Sequence, residues 1–89
     1  MEKVLYKIYV RGRVQGVGFR YSAVRAANHH GITGFVKNMP DGSVYMEAEG
    51  TEKELLDFIE WCRNGPGHVG SLTIDPYPPR NYVDFRIVF

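Results

Sequence analysis

Alternation of apolar and polar side chains opens the chain. Over residues 4–11, Val4, Tyr6, Ile8 and Val10 share one face of an extended segment, while Leu5 and Tyr9 place apolar bulk on the other. A period of two carried by β-branched and aromatic residues predicts a strand, and apolar groups on both faces predict a central one. Over residues 20–30 the period lengthens. Ala23, Ala26 and Ala27 fall on one side of a helix, and Gly31 supplies a left-handed stop. Residues 33–38 and 43–49 return to strand composition. Between them Met39-Pro40-Asp41-Gly42 predicts a turn, with Pro40 presetting φ and Gly42 taking positive φ, so the two strands form a hairpin. Thr51-Glu52-Lys53-Glu54 fits a capping box, and Leu55, Phe58, Ile59 and Cys62 follow at helical spacing until Asn64-Gly65-Pro66 ends the helix. Residues 69–75 predict a fourth strand and 84–89 a short fifth. Pro76, Pro78 and Pro79 lie between them and argue against regular pairing there.

The order β-α-β-β-α-β, with one more strand at the end, predicts an α+β fold. Two helices would pack on one face of a mainly antiparallel sheet, in the ferredoxin-like arrangement. No linker, repeat or composition shift divides the 89 residues, so a single domain over 1–89 is expected. Hydrophobic residues at 44% and charged residues at 24% describe a globular chain rather than a disordered one. The formal net charge of +1 argues against duplex nucleic acid as the main partner. Cys62 is the single cysteine, which excludes an intrachain disulfide and a cysteine-based zinc site, and its place on the apolar helix face reads as a core thiol. His29, His30 and His68 lack metal-ligand spacing with it, so no metal is expected. The first seven residues hold no secretory apolar core, and no run is long enough to cross a bilayer, giving a cytoplasmic, membrane-free expectation. Scattered apolar surface on so small a chain makes a monomer the default.

The segment Gly12-Arg13-Val14-Gln15-Gly16-Val17-Gly18-Phe19-Arg20 changes the picture. It is a glycine-punctuated loop between a predicted strand and a predicted helix, and it ends in an arginine. Glycines let backbone N–H groups converge on a ligand, a helix N-terminus adds unpaired N–H groups and partial positive charge, and an arginine fork grips two oxygens of one phosphate. A tight strand-to-helix turn with a solvated Arg20 explains the same residues, and spacing leaves both readings open. A cation in a first helical turn opposes the macrodipole, a conflict that a bound anion would remove. Other phosphate motifs fail. Gly18 is followed by Phe19-Arg20 rather than the Lys-Ser/Thr of a Walker loop, and Tyr21 stands where a dinucleotide fingerprint needs its third glycine.

Read together with Gly34-Phe35-Val36-Lys37-Asn38-Met39-Pro40-Asp41-Gly42, this loop resembles the acylphosphatase family, whose two signatures both segments match in order and spacing. The similarity runs on through Val44, Glu49-Gly50, the segment from Trp61 to Pro66, and Phe85-Arg86-Ile87. Phe35 stands where a tryptophan is common, and Met39 occupies a variable position. The resemblance implies a five-stranded ferredoxin-like fold and hydrolysis of acyl phosphates to a carboxylate and inorganic phosphate, without metal or other cofactor. By position it implies catalytic roles for Arg20, which binds the phosphoryl group, and Asn38, which holds the attacking water. Gln15, Gly16, Val17, Gly18 and Phe19 become the loop whose N–H groups surround the phosphate oxygens. Inorganic phosphate or another anion is then expected as product or inhibitor.

Two other classes fit parts of the sequence. The same element order describes RNA-recognition domains, but Ser43-Val44-Tyr45-Met46-Glu47-Ala48-Glu49 carries two acids and lacks their basic-aromatic signature. An anion-binding regulatory module without turnover would keep the loop, and the presence of both Arg20 and Asn38 argues for the enzyme. Arg11, Arg13 and Lys37 add positive potential near the loop or are solvated charges.

Overall fold

A computed structural model describes residues 2–89. The elements follow as β1 (Val4–Arg13), α1 (Phe19–His30), β2 (Thr33–Asn38), β3 (Val44–Gly50), α2 (Glu52–Arg63), β4 (His68–Tyr77) and β5 (Phe85–Ile87). They build one five-stranded sheet in the order β4-β1-β3-β2-β5. The pairs β1/β3, β1/β4 and β2/β3 are antiparallel, and β2/β5 is parallel. The ferredoxin-like α+β arrangement expected from the pattern is the observed one.

Period-two patterning sets the sheet's two faces. Ile8, Val10, Val36, Val44, Met46 and Ala48 point to the helix side and are fully buried. Against them pack Phe19, Ala23 and Ala27 of α1 and Leu55, Phe58, Ile59 and Cys62 of α2. Three small alanines let α1 lie close to the sheet, and bulk comes instead from Phe58, whose ring stacks on Trp61 at 5.9 Å and meets Phe85 edge-on at 5.9 Å. Gly31 ends α1 in the left-handed conformation at φ 72°, its N–H donating to the Ala27 carbonyl. Thr51 and Glu54 form the capping box of α2.

The opposite face is closed by a strap rather than left to solvent. Glu49 is fully buried, and its carboxylate accepts backbone N–H groups of Arg80, Asn81 and Tyr82 at 2.6, 3.0 and 2.7 Å. Glu47 accepts the hydroxyls of Tyr45 and Tyr82, both at 2.6 Å, and pairs with Arg80 at 3.2 Å. Burial that would be costly for a lone carboxylate is offset here by several donors. Asn81, at φ 60°, bends the strap so that three successive N–H groups reach one carboxylate.

Three boundaries differ from the sequence reading in an informative way. α1 starts at Phe19, one residue early, because Gly18 takes the cap position. β4 extends through Pro76, which pairs with Tyr6 instead of ending the strand. β4 is an edge strand, so a residue without an N–H is tolerated on its free side. β5 is shorter than the predicted 84–89: Phe85, Arg86 and Ile87 are in ladder register with β2, and Asp84 and Val88 add one backbone hydrogen bond each, with Gly34 and Val36.

Candidate active site

β1 and β2 are both antiparallel to β3, which lies between them, so their C-terminal ends emerge at the same edge of the sheet. That topology brings the loop after β1 beside Asn38, the last residue of β2. A register shift between Arg11 and Gly12 bends the end of β1 into the loop.

Three side chains fix the loop. Val14 and Phe19, each 1% exposed, anchor its ends in the core. Gln15 donates from Nε2 to the carbonyls of Met39 at 2.8 Å and Ser43 at 2.9 Å, tying the loop to the turn after Asn38. Asp41 closes that turn by accepting from the Ser43 N–H and hydroxyl. Those hydrogen bonds, with help from the Arg11 charge, hold the Asp41 carboxyl below its ordinary range. Between the anchors Gly16 and Gly18 adopt φ 74° and 79°. A Cβ at either position would meet no atom within 4 Å, so backbone conformation rather than space selects glycine.

Loop and strand enclose a cleft of about 100 Å³ lined by Val14, Gly16, Gly18, Phe19, Arg20, Tyr21 and Asn38. Its size suits a phosphoryl group and falls below the roughly 300–1,000 Å³ typical of pockets for drug-sized ligands. α1 begins here without a side-chain cap and without an acid in its first turn. Among the described residues, no backbone N–H from Gly16 to Arg20 has a hydrogen-bond partner. The Arg20 guanidinium lies 5.3 Å from the centroid of the Phe89 ring and forms no ion pair with a described residue. Oδ1 of Asn38 is buried and is the one buried side-chain polar atom among the described residues without a partner. An orphaned buried acceptor costs about 1–3 kcal/mol, so its retention needs a reason.

Of the residues singled out in the sequence, Gly16, Gly18, Phe19, Arg20 and Asn38 converge on the cleft. Gln15 and Val17 do not line it. The Gln15 side chain is committed to holding the turn, and Val17 faces Gly67 and solvent, 42% exposed. Tyr21, Val14 and Phe89 were missed. Tyr21 and Val14 differ from other loop and helix residues only once the backbone is built, and Phe89 reaches Arg20 only through the β2/β5 pairing. A wider depression of about 420 Å³, lined by Ser22, Arg25, Ala26, His29, His30 and Trp61, lies between α1 and α2 and contains none of the residues the two signatures singled out. Cys62 is fully buried, and burial pushes its thiol far above the ordinary value, as expected of an inert core cysteine.

Comparison with known proteins identifies relatives of the same family and fold. The family model described as Acylphosphatase matches residues 6–87. An acylphosphatase of Yersinia pseudotuberculosis serotype O:1b is 43% identical over 90 residues, covering 98% of each chain. One from Thermotoga maritima is 44% identical over 85 residues, covering 93% of this chain and 94% of its own. The crystal structure of acylphosphatase from Bacillus subtilis superposes with a TM-score of 0.95 at 38% identity, over 97% of this chain and 99% of that one.

Proposed function

The chain belongs to the acylphosphatase family and is a hydrolase acting on acyl phosphates, and from that premise we propose that the cleft between the 15–20 loop and Asn38 is its catalytic site. The observation that carries this reading is the buried, unpartnered Oδ1 of Asn38, placed in the same cleft as Arg20 and the two left-handed glycines. An acceptor kept unsatisfied beside a set of free donors is arranged for a water and an anion together.

In the proposed mechanism Arg20 holds two phosphoryl oxygens through its planar fork, and N–H groups of the loop and first helical turn take up the remaining charge. Asn38 Oδ1 accepts a hydrogen bond from water and aims its oxygen at phosphorus. Water oxygen bonds to phosphorus as the bond from phosphorus to the acyl oxygen breaks, and the electron pair leaves with the carboxylate. A carboxylate is a good leaving group, so no general acid is needed. No Asp, Glu or His lines the cleft, and an amide cannot take a proton at neutral pH. The water's proton therefore passes to a phosphoryl oxygen of the substrate itself. Loose phosphoryl-transfer transition states ask for positioning and charge stabilisation, which this donor set supplies without metal. Inorganic phosphate, leaving from the same donors, acts as a product inhibitor. A monomer suffices, since every residue invoked comes from one chain.

The test is benzoyl phosphate hydrolysis with a chelator present. Full activity is expected. Arg20→Ala should lower kcat/KM by about a thousandfold, and Arg20→Lys by at least about a hundredfold, because a point charge does not replace the fork. Arg20→Lys at wild-type rates would refute the bidentate role.

A further inference from the structure

A cleft sized for a phosphoryl group leaves the acyl group outside it. In an acyl phosphate the carbonyl carbon is one bridging oxygen away from phosphorus, so the acyl chain emerges at the mouth. Two exposed aromatic side chains stand near Arg20. Tyr21 follows Arg20 directly, lines the cleft and is 70% exposed. Phe89 lies against the Arg20 guanidinium and is 97% exposed. Single exposed apolar residues are ordinary. Two exposed aromatic rings beside one arginine, Tyr21 as its chain neighbour in the cleft lining and Phe89 with its ring centroid 5.3 Å from the guanidinium, are not a scatter.

The polar groups point the same way. Asn38 and Arg20 supply the only side-chain hydrogen-bonding groups of the lining besides the Tyr21 hydroxyl, and the mechanism commits both to the phosphoryl end and the water. Gln15, the side-chain amide within the loop, is spent on the Met39 and Ser43 carbonyls. A polar acyl group would find few partners, whereas a flat apolar one would cover Tyr21 and Phe89 and lose water from both.

We propose that Tyr21 and Phe89 form a shelf for the acyl group, which makes the enzyme prefer acyl phosphates with aromatic or extended apolar acyl groups over small ones. The inference rests on the site proposed above. Tyr21 contributes ring surface alone. Phe89 contributes in two ways, by offering surface to the acyl group and by holding the Arg20 guanidinium in place through its ring face.

The experiment compares kcat/KM for benzoyl phosphate and acetyl phosphate in the wild type, Tyr21→Ala, Phe89→Ala, the double variant and Tyr21→Phe. The ratio of the two constants in each variant, relative to wild type, cancels the intrinsic reactivity of the substrates and any change in phosphate grip. Ring-on-ring contacts of this kind are worth roughly two- to tenfold each, so the ratio should fall at least about threefold in Tyr21→Ala and further in the double variant. Tyr21→Phe should keep the wild-type ratio, since the shelf uses the ring and not the hydroxyl. A double variant with an unchanged ratio overturns the proposal, even if both rates fall together. Arg20→Ala is run in parallel: undiminished turnover of both substrates there would mean that the site lies elsewhere, whereas lost turnover with a constant ratio in the double variant rejects the shelf alone.

Discussion

In the proposed site, Asn38 trades stability for chemistry. Its Oδ1 is buried without a partner, at the end of a strand that pairs along its length with β3. Asn38→Ala removes the orphaned acceptor, so the variant should be as stable as wild type or more stable by about 1 kcal/mol. Its turnover should fall about a hundredfold, the loss expected when a preorganised group is removed from a transition state. Thermal melts and benzoyl phosphate kinetics on the same preparation check both halves. A variant that loses stability in step with activity would make Asn38 a structural turn residue. In the sequence, Asn38 alone reads as a turn former before Pro40. Its role becomes legible only beside the glycine loop, because the orphaned atom is a property of three-dimensional burial. Arg20 is more legible, since a cation in a first helical turn breaks a local rule that any reader can apply. Gln15 is instructive in another way: the sequence places it in the loop, and only the fold shows its side chain donating to the turn carbonyls.

The two helices start in opposite ways. α2 opens with a complete capping box, which pairs the Thr51 and Glu54 N–H groups, and with Glu52 and Glu54 in its first turn, which complement its dipole. α1 opens on Gly18 with neither, and leaves its N–H groups to the cleft. One end is capped, and the other is left open for the anion that the proposed site would hold, and each makes its own prediction. Thr51→Ala should cost about 1 kcal/mol of stability and leave phosphate affinity unchanged. Inorganic phosphate should raise the wild-type melting temperature by mass action, with a gain of about 2.7 kcal/mol once its concentration is a hundred times Kd. Scanning calorimetry across a phosphate series should show that shift in wild type and Thr51→Ala and lose most of it in Arg20→Ala. An equal shift in Arg20→Ala would detach the anion from this helix end. The start of α2 is readable in the sequence to the residue and that of α1 to within one, because capping is decided within four residues. β4 is misread at Pro76, because whether a proline ends a strand depends on whether that strand is an edge, and edges are set by the whole sheet.

Across the whole molecule, the least legible feature is the strap that closes the sheet's second face. Its hydrogen bonds join residues 31 to 35 apart in sequence. Glu47 and Glu49 alternate with Met46 and Ala48, a pattern that reads as a strand with one wet face. Only the fold reveals that Tyr82 and Arg80 return to cover it. The consequence is a dependence of global stability on pH. Burial pushes the Glu47 carboxyl up, but hydrogen bonds from Tyr45 and Tyr82 and the charges of Arg80 and Lys7 outweigh it and leave the group below its ordinary value of 4.5. A carboxyl held lower in the folded chain than in the unfolded one contributes its full stabilisation above the ordinary value. That contribution is lost as pH falls from there through the folded value, with a slope of at most about 1.4 kcal/mol per pH unit for one group. Asp41, Glu54 and Asp84 are lowered as well, but they sit at the surface, where solvent weakens what they contribute. The strap should therefore dominate the acid limb of the stability curve. Urea unfolding of wild type and Glu47→Gln between about pH 7 and pH 3 measures it. The variant should be less stable by about 1–3 kcal/mol at neutral pH, because it loses a charge-assisted acceptor of two hydroxyls and a guanidinium. Below the ordinary carboxylate value its curve should flatten and converge on that of wild type. Parallel curves, separated by the same gap throughout, would show that the Glu47 charge is not what ties the strap to the sheet.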